Sequence, residues 1–211
     1  MADPAVLFAD AALVALDKPA GLLSVPGRGA SKQDCLATRA QALFPDALVV
    51  HRLDMATSGV MLMARGVDAQ RILSAAFARR AVHKRYVAVV AGRVQPDRGD
   101  INLPLGPDWP NRPMQRVDLE RGKPSLTRYR VLAFDALSHT TRLALEPVTG
   151  RSHQLRVHLL ALGHPIVGDT LYAPAQGSLP AAERLLLHAC EISFAHPVGT
   201  AWLTLSSAAP F

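Results

Sequence analysis

Cysteine is scarce in this chain, and its placement excludes two classes of stabilised fold. The 211 residues contain 2 cysteines, Cys35 and Cys190, which lie far apart and form no Cys-x-x-Cys pair. Neither a disulfide framework nor a cysteine-based zinc site is therefore expected. Such a chain suits a reducing compartment, and we predict an intracellular, cytoplasmic protein.

Long apolar runs and aromatic side chains are also missing. No apolar stretch is long enough to span a bilayer, so we expect no membrane association. Residues 5–16 are rich in apolar side chains, but Asp10 interrupts them and no basic segment precedes them, which excludes a signal peptide. Aromatic residues make up 5% of the chain and hydrophobic residues 49%, so the core must consist mainly of Leu, Val and Ala.

Positive charge is in excess. Lys and Arg number 23 against 17 Asp and Glu, which gives a formal net charge of +6 and a pI of about 9.9. This balance favours a polyanionic partner, because each phosphate that a protein neutralises releases counterions. The densest basic cluster comprises Arg79, Arg80, His83, Lys84 and Arg85.

The basic cluster follows a segment with helical spacing. Asp68 is expected to cap this helix, which would run to about Arg80. One interpretation of the cluster is a solvated helix end, since cations stabilise a helix C-terminus. It leads directly into Tyr86 and an apolar strand at 87–91, and Tyr86 could be an ordinary strand aromatic. The other interpretation is an RNA-facing surface.

A polar elbow separates two apolar runs, at 47–50 and 60–64, that suit buried strands. It reads His51-Arg52-Leu53-Asp54-Met55-Ala56-Thr57-Ser58-Gly59. The last three residues supply hydroxyls and a permissive backbone, so we expect them to form a tight turn. An acid between two buried strands is costly unless it is paired or used, which makes Asp54 the first candidate for catalysis. The alternative is structural: Asp54 caps the turn and forms an ion pair with Arg52.

A second basic segment carries a tryptophan. Residues 108–116 are typical of a loop and place Trp109 beside Arg112 and Arg116. Guanidinium groups next to a flat indole suit the RNA backbone and unpaired bases. We therefore predict that Arg112 and Arg116 face RNA.

Residues 149–158 concentrate polar side chains before an apolar helix. Thr149 or Ser152 is expected to cap this helix, which would end at Gly163. His153 and His158 stand five positions apart and do not share a helix face, which argues against zinc. Ser152 lacks the Gly-x-Ser-x-Gly elbow of a serine hydrolase.

Arg151 is placed unfavourably for a lone cation. A helix N-terminus is positive, so an arginine there gains nothing unless a carboxylate from elsewhere pairs with it. Other predicted elements are strands at 11–16, 127–134, 141–147 and 202–205, a buried strand that opens at 185–189, a helix at 34–43 and a flexible link at 174–180.

Several ordered motifs make the chain resemble the RluA family of RNA pseudouridine synthases. The first is His-Arg-Leu-Asp-x-x-Thr-Ser-Gly at 51–59, the second is Lys-x-Tyr-x-Ala-x-Val-x-Gly at 84–92, and the third is Gly-Arg-x-His-Gln-Leu-Arg-x-His at 150–158. The Asp-Lys-Pro-x-Gly-Leu run at 17–22 opens an N-terminal motif of that family, and the fuller string at 21–28 resembles its compact subgroup. The resemblance implies that these residues shape the floor of the catalytic site. Another family-like string, at 163–172, would be a turn that stabilises the third motif. The resemblance covers nearly the whole chain.

The resemblance implies a role for each motif. Asp54 would be the catalytic residue, Tyr86 would pack against the target base, and Arg151 would pair with the aspartate. Leu187, in a Leu-His-Ala element, would form an aliphatic wall under the base. Arg52 would fill the space vacated by the flipped base or hold the adjoining phosphate. The other residues expected on RNA are Arg79, Arg80, Lys84, Arg112 and Arg116.

The implied fold is α+β, a pseudouridine synthase catalytic domain with a mixed, mostly antiparallel sheet in two lobes and a central cleft. Residues 1–211 would form this single domain, without the S4 RNA-binding domain of larger relatives. The implied substrates are uridines in structured RNA, in 23S rRNA and tRNA anticodon stem-loops. No cofactor or metal is needed, and RNA would be the partner of a monomer with no obligatory protein partner.

Two other functions share part of this pattern. A non-catalytic protein on the same scaffold would bind RNA without changing the base. A hydrolase of glycosidic bonds would use the same carboxylate and release free uracil.

Overall fold

The computed structural model of the protein describes residues 3–172, 182–199 and 201–211. The chain divides into two compact units. The first unit comprises Met1–Lys84 and His188–Pro210, and the second comprises Arg85–Leu187 with Phe211. The link predicted at 174–180 lies outside the described residues.

The described residues form twelve strands and three α-helices. The strands, in chain order, are β1 (Ala5–Ala9), β2 (Leu13–Lys18), β3 (Ala47–Val49), β4 (Ser58–Arg65), β5 (His83–Ala91), β6 (Arg98–Asn102), β7 (Leu105–Pro107), β8 (Gln115–Val117), β9 (Leu126–Asp135), β10 (Thr140–Pro147), β11 (Leu187–Ala195) and β12 (Trp202–Ser206). The α-helices are α1 (Leu36–Leu43), α2 (Val67–Ala78) and α3 (Gln154–Ala161).

The first unit is built on a sheet in the order β1, β2, β4, β11, with β3 paired to β4 and β12 paired to β11. The β4–β11 pair is parallel and the other pairs are antiparallel. The runs at 13–16 and 60–64 are almost fully buried, as central strands require. Leu73 of α2 and Phe194 of β11 complete this core. The predicted buried strand at 60–64 is confirmed.

The second unit contains a four-stranded antiparallel arrangement and a separate hairpin. Its strand order is β5, β10, β9, β6, and β7 pairs with β8. The strands predicted at 127–134 and 141–147 are confirmed as neighbours, each slightly longer than expected. Alternation predicts them well because one face is buried and the other is not.

Helix starts were predicted less well. The N-cap of α2 is Gly66, with φ 81°, so the prediction that Asp68 caps this helix is wrong. Asp68 instead lies in the first turn and forms an exposed ion pair of 2.9 Å with Arg71. In α1 the cap is Cys35, whose Sγ accepts the N–H of Thr38 at 3.4 Å.

The basic cluster is divided between a helix end and a strand. Arg79 is the C-cap of α2, and Arg80 has φ 60°. Because β5 already begins at His83, Lys84 and Arg85 lie on a strand, which starts four residues earlier than predicted. The interpretation of the whole cluster as a helix end is therefore wrong.

An ion pair joins Asp10, in the turn between β1 and β2, to His196, which follows β11, and makes part of the stability of the first unit depend on pH. His196 Nε2 lies 2.8 Å from an Asp10 carboxylate oxygen, while the other oxygen accepts the N–H groups of Ala12 and Leu13. Its bond to the Val198 carbonyl, opposed by burial and reinforced by Asp10, raises the pKa of His196. Burial alone would raise the pKa of Asp10, but the amide of Ala12 and the imidazole of His196 lower it.

We expect the contribution of His196 to the free energy of unfolding to be complete below about pH 6.5. It should be lost as the pH rises through the raised pKa of the folded state, whereas Asp10 is already charged throughout this range. Urea unfolding of the wild type and of His196→Asn between about pH 5 and 8 checks this. The difference between the two proteins should shrink toward high pH, and a constant difference would contradict the expectation.

Candidate active site

Asp54 lies on a short turn between two buried segments of the first unit. Its carbonyl accepts the N–H of Thr57 at 3.1 Å, which closes the turn. On one side, the N–H and C=O of buried Leu53 both bond to the Ser24 hydroxyl, at 3.0 and 2.6 Å. On the other side, the carbonyl of Met55 accepts the N–H of Gly21 at 2.8 Å. The backbone on both sides of the aspartate is therefore held by the loop that precedes α1.

The buried side chain of Lys18 holds the same turn. Its side chain is 0% exposed, and Nζ donates to the carbonyls of Pro19, Leu22 and Met55 at 2.9, 2.6 and 3.0 Å. A lysine ammonium has three N–H groups, so these three carbonyls match its donors one for one. The prediction that the Asp-Lys-Pro run forms a floor under the catalytic residue agrees with this geometry.

The strand after the turn is anchored by a buried histidine. Ser58, the first residue of β4, lies 2.8 Å from Nδ1 of His188, and His188 Nε2 lies 3.2 Å from the Ser207 carbonyl. Because a carbonyl can only accept, Nε2 carries the proton and Nδ1 accepts from the Ser58 hydroxyl. The next residue, Gly59, faces Ala189 of β11 in the parallel pair. Both contacts fix the position of β4 beside β11.

His51, the first residue of the motif, is anchored to β4 and α2, and its ring is neutral. Its Nε2 accepts the N–H of Leu62 at 2.9 Å, and the ring stacks on Phe77 at 4.5 Å between centroids. Burial, and to a smaller extent the nearby Lys84 cation, lowers the pKa of His51 to about 3. An uncharged ring keeps Nε2 available to accept this bond at neutral pH. His51 therefore has a structural role in the motif.

Arg52 does not neutralise the neighbouring acid. Its residue is exposed, and in the part of the chain that the structure describes it forms no ion pair with Asp54. The structural alternative for the elbow, an Arg52–Asp54 pair, is therefore wrong. Arg79 and Arg80 are also exposed, whereas Lys84 is half-buried and burial lowers its pKa.

The residues predicted to hold the base belong to the second unit. Tyr86 lies in β5, opposite Leu145 of β10, and is half-buried. Leu187 is the first residue of β11 and is 2% exposed. Both side chains are presented by strands, which hold a side chain more rigidly than loops do.

Arg151 lies in the turn before α3. Its N–H donates to the Gln154 side-chain oxygen at 3.0 Å, and its carbonyl accepts the N–H of Gln154 at 3.2 Å. The helix N-cap is His153, in the left-handed conformation with φ 54°. The prediction that Thr149 or Ser152 caps α3 is therefore wrong. Thr149 instead donates to the same Gln154 oxygen at 2.7 Å.

A buried network holds Gln154 in place. Its amide group donates to the carbonyl of Leu126 and the hydroxyl of Thr127, both at 3.0 Å. Thr127 lies 2.9 Å from His158 Nδ1, and His158 Nε2 lies 3.0 Å from the Leu103 carbonyl. Burial lowers the pKa of His158, opposed by its bond to Leu103. His153 and His158, the two histidines of the third motif, therefore help to hold the turn that carries Arg151.

The predicted RNA-facing loop joins β7 to β8. The guanidinium of Arg112 lies 3.6 Å from the centroid of the Trp109 ring, and this ring is 63% exposed. The loop is closed by a bond of 3.0 Å from the N–H of Asp108 to the carbonyl of Met114. Arg116 lies on β8, is exposed, and stands 3.9 Å from the Asp118 carboxylate. The adjacency of indole and guanidinium expected from the sequence is confirmed.

The structure groups the predicted residues within each unit. Asp54, Arg52, Arg79, Arg80 and Lys84 belong to the first unit, and Tyr86, Arg112, Arg116, Arg151 and Leu187 belong to the second. Ser24 lies in the segment 21–28, predicted to shape the floor of the site, and Tyr172 lies in 163–172, predicted to stabilise the third motif. Sequence reasoning did not identify the individual hydrogen bonds that Ser24, Gln154 and Tyr172 form. Their hydrogen-bond partners lie 29, 28 and 57 positions away in some cases, so no local spacing reveals them.

Comparison with known proteins identifies the family of this chain. The family model described as RNA pseudouridylate synthase matches residues 12–161, a span that includes Asp54, Tyr86 and Arg151. The chain belongs to this family. It is accordingly an RNA pseudouridine synthase, an isomerase whose substrate is RNA.

Named relatives resemble this RNA pseudouridine synthase over most of its length and support its family assignment. It is 50% identical over 192 residues to a dual-specificity RNA pseudouridine synthase RluA of Vibrio cholerae, covering 91% of this chain and 77% of that protein. It is 48% identical over 206 residues to the Escherichia coli K12 protein of that name, covering 98% and 93%.

Solved structures of two human relatives share its fold. Human RNA pseudouridylate synthase domain containing 1 superposes with a TM-score of 0.83 at 28% identity, covering 99% of this chain and 84% of that one. For domain containing 4 the TM-score is 0.77 at 26% identity, covering 98% and 88%. The predicted α+β pseudouridine synthase fold with a mixed, mostly antiparallel sheet is confirmed.

The described residues of the synthase offer neither a metal site nor a membrane-spanning helix. In 3–172, 182–199 and 201–211, no group of three or more His, Cys, Asp or Glu residues could hold a metal ion. Over the same residues, the helices are too short or too polar to cross a membrane.

Proposed function

We propose that this synthase converts uridines to pseudouridine in 23S rRNA and in tRNA anticodon stem-loops, with Asp54 as the catalytic residue. The substrates are proposed because the V. cholerae and E. coli relatives are named dual-specificity enzymes and the motifs resemble that subgroup. The observation that supports Asp54 is its position on a turn whose neighbouring backbone is bonded to Ser24, Lys18 and Gly21. A catalytic side chain must be held in position by such a rigid backbone.

The reaction defines what the site must supply. The N1–C1′ bond of the uridine breaks, the uracil turns, and C5 bonds to C1′; C5 then loses its proton and N1 gains one. Bonds are exchanged without oxidation or reduction, so we propose that no cofactor or metal takes part. Asp54 would either add to C1′ or remove a sugar proton on a glycal route, and would serve again at C5.

The remaining site residues would hold the detached base and offset the negative charge of Asp54. We propose that Tyr86 and Leu187 provide the aromatic and aliphatic surfaces for uracil, in keeping with their placement on strands. Arg151 would be the cation that keeps Asp54 ionised, and its backbone is held by Gln154. Flipping the base out of its stack costs a few kcal/mol, and this cost is smallest in loops. Arg52, exposed beside the acid, would fill the vacated space or hold a phosphate.

RNA contact would extend over basic residues of both units. Arg79 and Arg80 are exposed at the end of α2 and would meet the backbone, with Lys84 nearby on β5. In the second unit Arg112 and Arg116 would contact phosphates, and the Trp109 ring would stack on an unpaired base.

Reversing the two charges of the β7–β8 loop should weaken RNA binding strongly. For Arg112→Glu with Arg116→Glu we expect lower affinity and a shallower salt dependence. The slope of log affinity against log salt should change by roughly 0.7 for each phosphate that the protein no longer neutralises. Filter binding over a range of salt concentrations measures both quantities. The matched control is Arg71→Glu with Arg130→Glu, which reverses two exposed arginines outside the loop. Equal effects of the two pairs would remove the loop from the interface.

Tritium release tests the function as a whole. RNA carrying C5-tritiated uridine is incubated with the wild-type protein, using tRNA anticodon stem-loops and 23S rRNA fragments. We expect release of tritium while the carbon skeleton of the labelled base stays in the RNA. Release of free uracil would indicate a glycosidic hydrolase, and tight binding without release would indicate a non-catalytic RNA-binding protein.

We propose further that residues 1–211 act as one catalytic domain and that the protein is a monomer in the cytoplasm. Its partner would be the RNA alone. Light scattering of the protein at the concentration of the assay tests the oligomeric state.

A further inference from the structure

The hydroxyl of Tyr172 joins two segments of the second unit. It accepts the N–H of Gln115 at 2.7 Å, and it lies 2.7 Å from Nδ1 of His153. The hydroxyl has one proton, and its oxygen already accepts from Gln115. The second bond joins the hydroxyl to Nδ1 of His153, and the tautomer of the ring decides which of the two donates. The result is two short hydrogen bonds in series, from a backbone amide to an imidazole.

Each end of this series leads to a proposed functional element. Gln115 is the first residue of β8 and follows directly after the closed loop that carries the Trp109–Arg112 stack. His153 is the left-handed residue that turns the chain from Arg151 into α3. A left-handed conformation is costly for a residue other than glycine, so the surroundings must hold it. The bond from Tyr172 is such a restraint.

Tyr172 is itself fixed on every side. Its ring is 5% exposed and packs in one cluster with Leu105 of β7 and Val157 of α3. Its N–H donates to Asp169 at 3.1 Å, and Asp169 forms a buried pair with Arg156, with the shorter contact at 2.7 Å. The Arg156 guanidinium also lies 5.0 Å from the Tyr172 ring centroid. Because a close-packed interior is hardly compressible, a side chain held in this way transmits a displacement to its neighbours.

We infer that Tyr172 is a positioning residue that couples RNA contact at the β7–β8 loop to the Arg151 turn. This inference rests on the proposed function, since it takes the loop as an RNA contact and Arg151 as part of the catalytic site. RNA that binds the Trp109–Arg112 stack shifts the start of β8. Through the hydroxyl of Tyr172, that shift acts on His153 and hence on the backbone beside Arg151.

Tyr172→Phe tests the coupling because it removes only the hydroxyl. We expect kcat for tritium release to fall between about three- and tenfold, the size of one hydrogen bond, while the Kd for RNA changes less than about twofold. Tyr129→Phe is the matched control, a buried tyrosine of the same unit outside this network. If both variants keep the wild-type kcat, the inference is wrong.

A double-mutant cycle separates coupling from simple weakening. Arg112→Ala in the wild type should raise KM and also lower kcat. In the Tyr172→Phe background it should raise KM by the same factor and leave kcat unchanged. Identical factors in kcat in both backgrounds would mean that the loop and the turn act independently, which overturns the inference.

Two substitutions at His153 test the same coupling if Tyr172→Phe does not fold. Glycine and asparagine both accept the left-handed conformation, but only asparagine retains a side chain that can form a hydrogen bond with the hydroxyl. His153→Asn should therefore keep more of the wild-type kcat than His153→Gly, and equal rates would overturn the inference. The thermal unfolding curve of each variant is measured, so that rates are compared only at temperatures at which every variant is folded. Absence of tritium release from the wild type, by contrast, would refute the proposed function itself.

Discussion

Asp54→Asn is expected to abolish tritium release from C5-labelled RNA, with a loss on the order of 10⁴-fold or more, as for other residues that carry the chemistry. The substitution removes the negative charge and leaves the shape of the side chain almost unchanged. An amide neither adds to C1′ of the ribose nor accepts a proton from it, so both routes open to the carboxylate are blocked. The measurement is initial-rate tritium release at saturating RNA.

The variant should still fold and bind RNA. The turn is held by backbone groups of Leu53, Asp54 and Met55, and the substitution changes none of these bonds. We therefore expect the Kd for RNA to stay near the wild-type value. Asp68→Asn is the control, because among the described residues the only ion pair of Asp68 is the exposed one with Arg71, and such pairs contribute little. Turnover by Asp54→Asn at more than about one-hundredth of the wild-type rate would exclude Asp54 as the catalytic residue.

Gly59→Ala is expected to destabilise the first unit by about 3 to 5 kcal/mol, combining backbone strain with overpacking. Gly59 has φ 112°, which disfavours a side chain, and it faces Ala189 in the parallel β4–β11 pair. A methyl group there would lie 2.7 Å from the Ala189 amide nitrogen and would collide with its carbonyl oxygen. Since both obstacles are backbone atoms, β11 must move away from β4.

A second glycine separates the collision from the strain. Gly66 has φ 81° in the same unit, and a methyl group would have nothing within 4 Å. Gly66→Ala should therefore cost only the strain, about 1 to 3 kcal/mol. In a Trp109→Phe background, Trp202 is the one remaining tryptophan of the 2 in the sequence, and its fluorescence reports urea unfolding of the first unit. Equal losses of stability for the two alanine variants would contradict the close packing of β4 on β11.

Gly59 also shows why the elbow motif ends where it does. The sequence suggested that its small residues form the turn itself, but the structure closes the turn at Thr57 and places Ser58 and Gly59 in β4. Ser58 then bonds to His188 and Gly59 packs on Ala189, two residues that are distant in the chain. The pattern was visible in the sequence, whereas its reason depends on β11.

Local regularities of the sequence predicted the elements that are buried on one or both faces. The apolar run at 60–64 and the alternation at 127–134 and 141–147 predict strands because their periods follow from the geometry of a pleated chain. β1 was not predicted, since Val6 and Leu7 are exposed on an edge strand and leave no buried pattern. Leu43, which the helical spacing at 34–43 places on one face with Leu36 and Ala40, is 44% exposed, whereas Leu36 and Ala40 are buried.

The amino-acid sequence by itself determined the family, the candidate aspartate and the excess of positive charge, because each depends on residue identity and short spacing. Tertiary structure alone decided which groups hold that chemistry in place. Lys18 reaches the Met55 carbonyl across 37 positions, and Tyr172 reaches Gln115 across 57. Hydrogen bonds of this kind depend on where the fold brings distant segments together, and no local period of the chain records that.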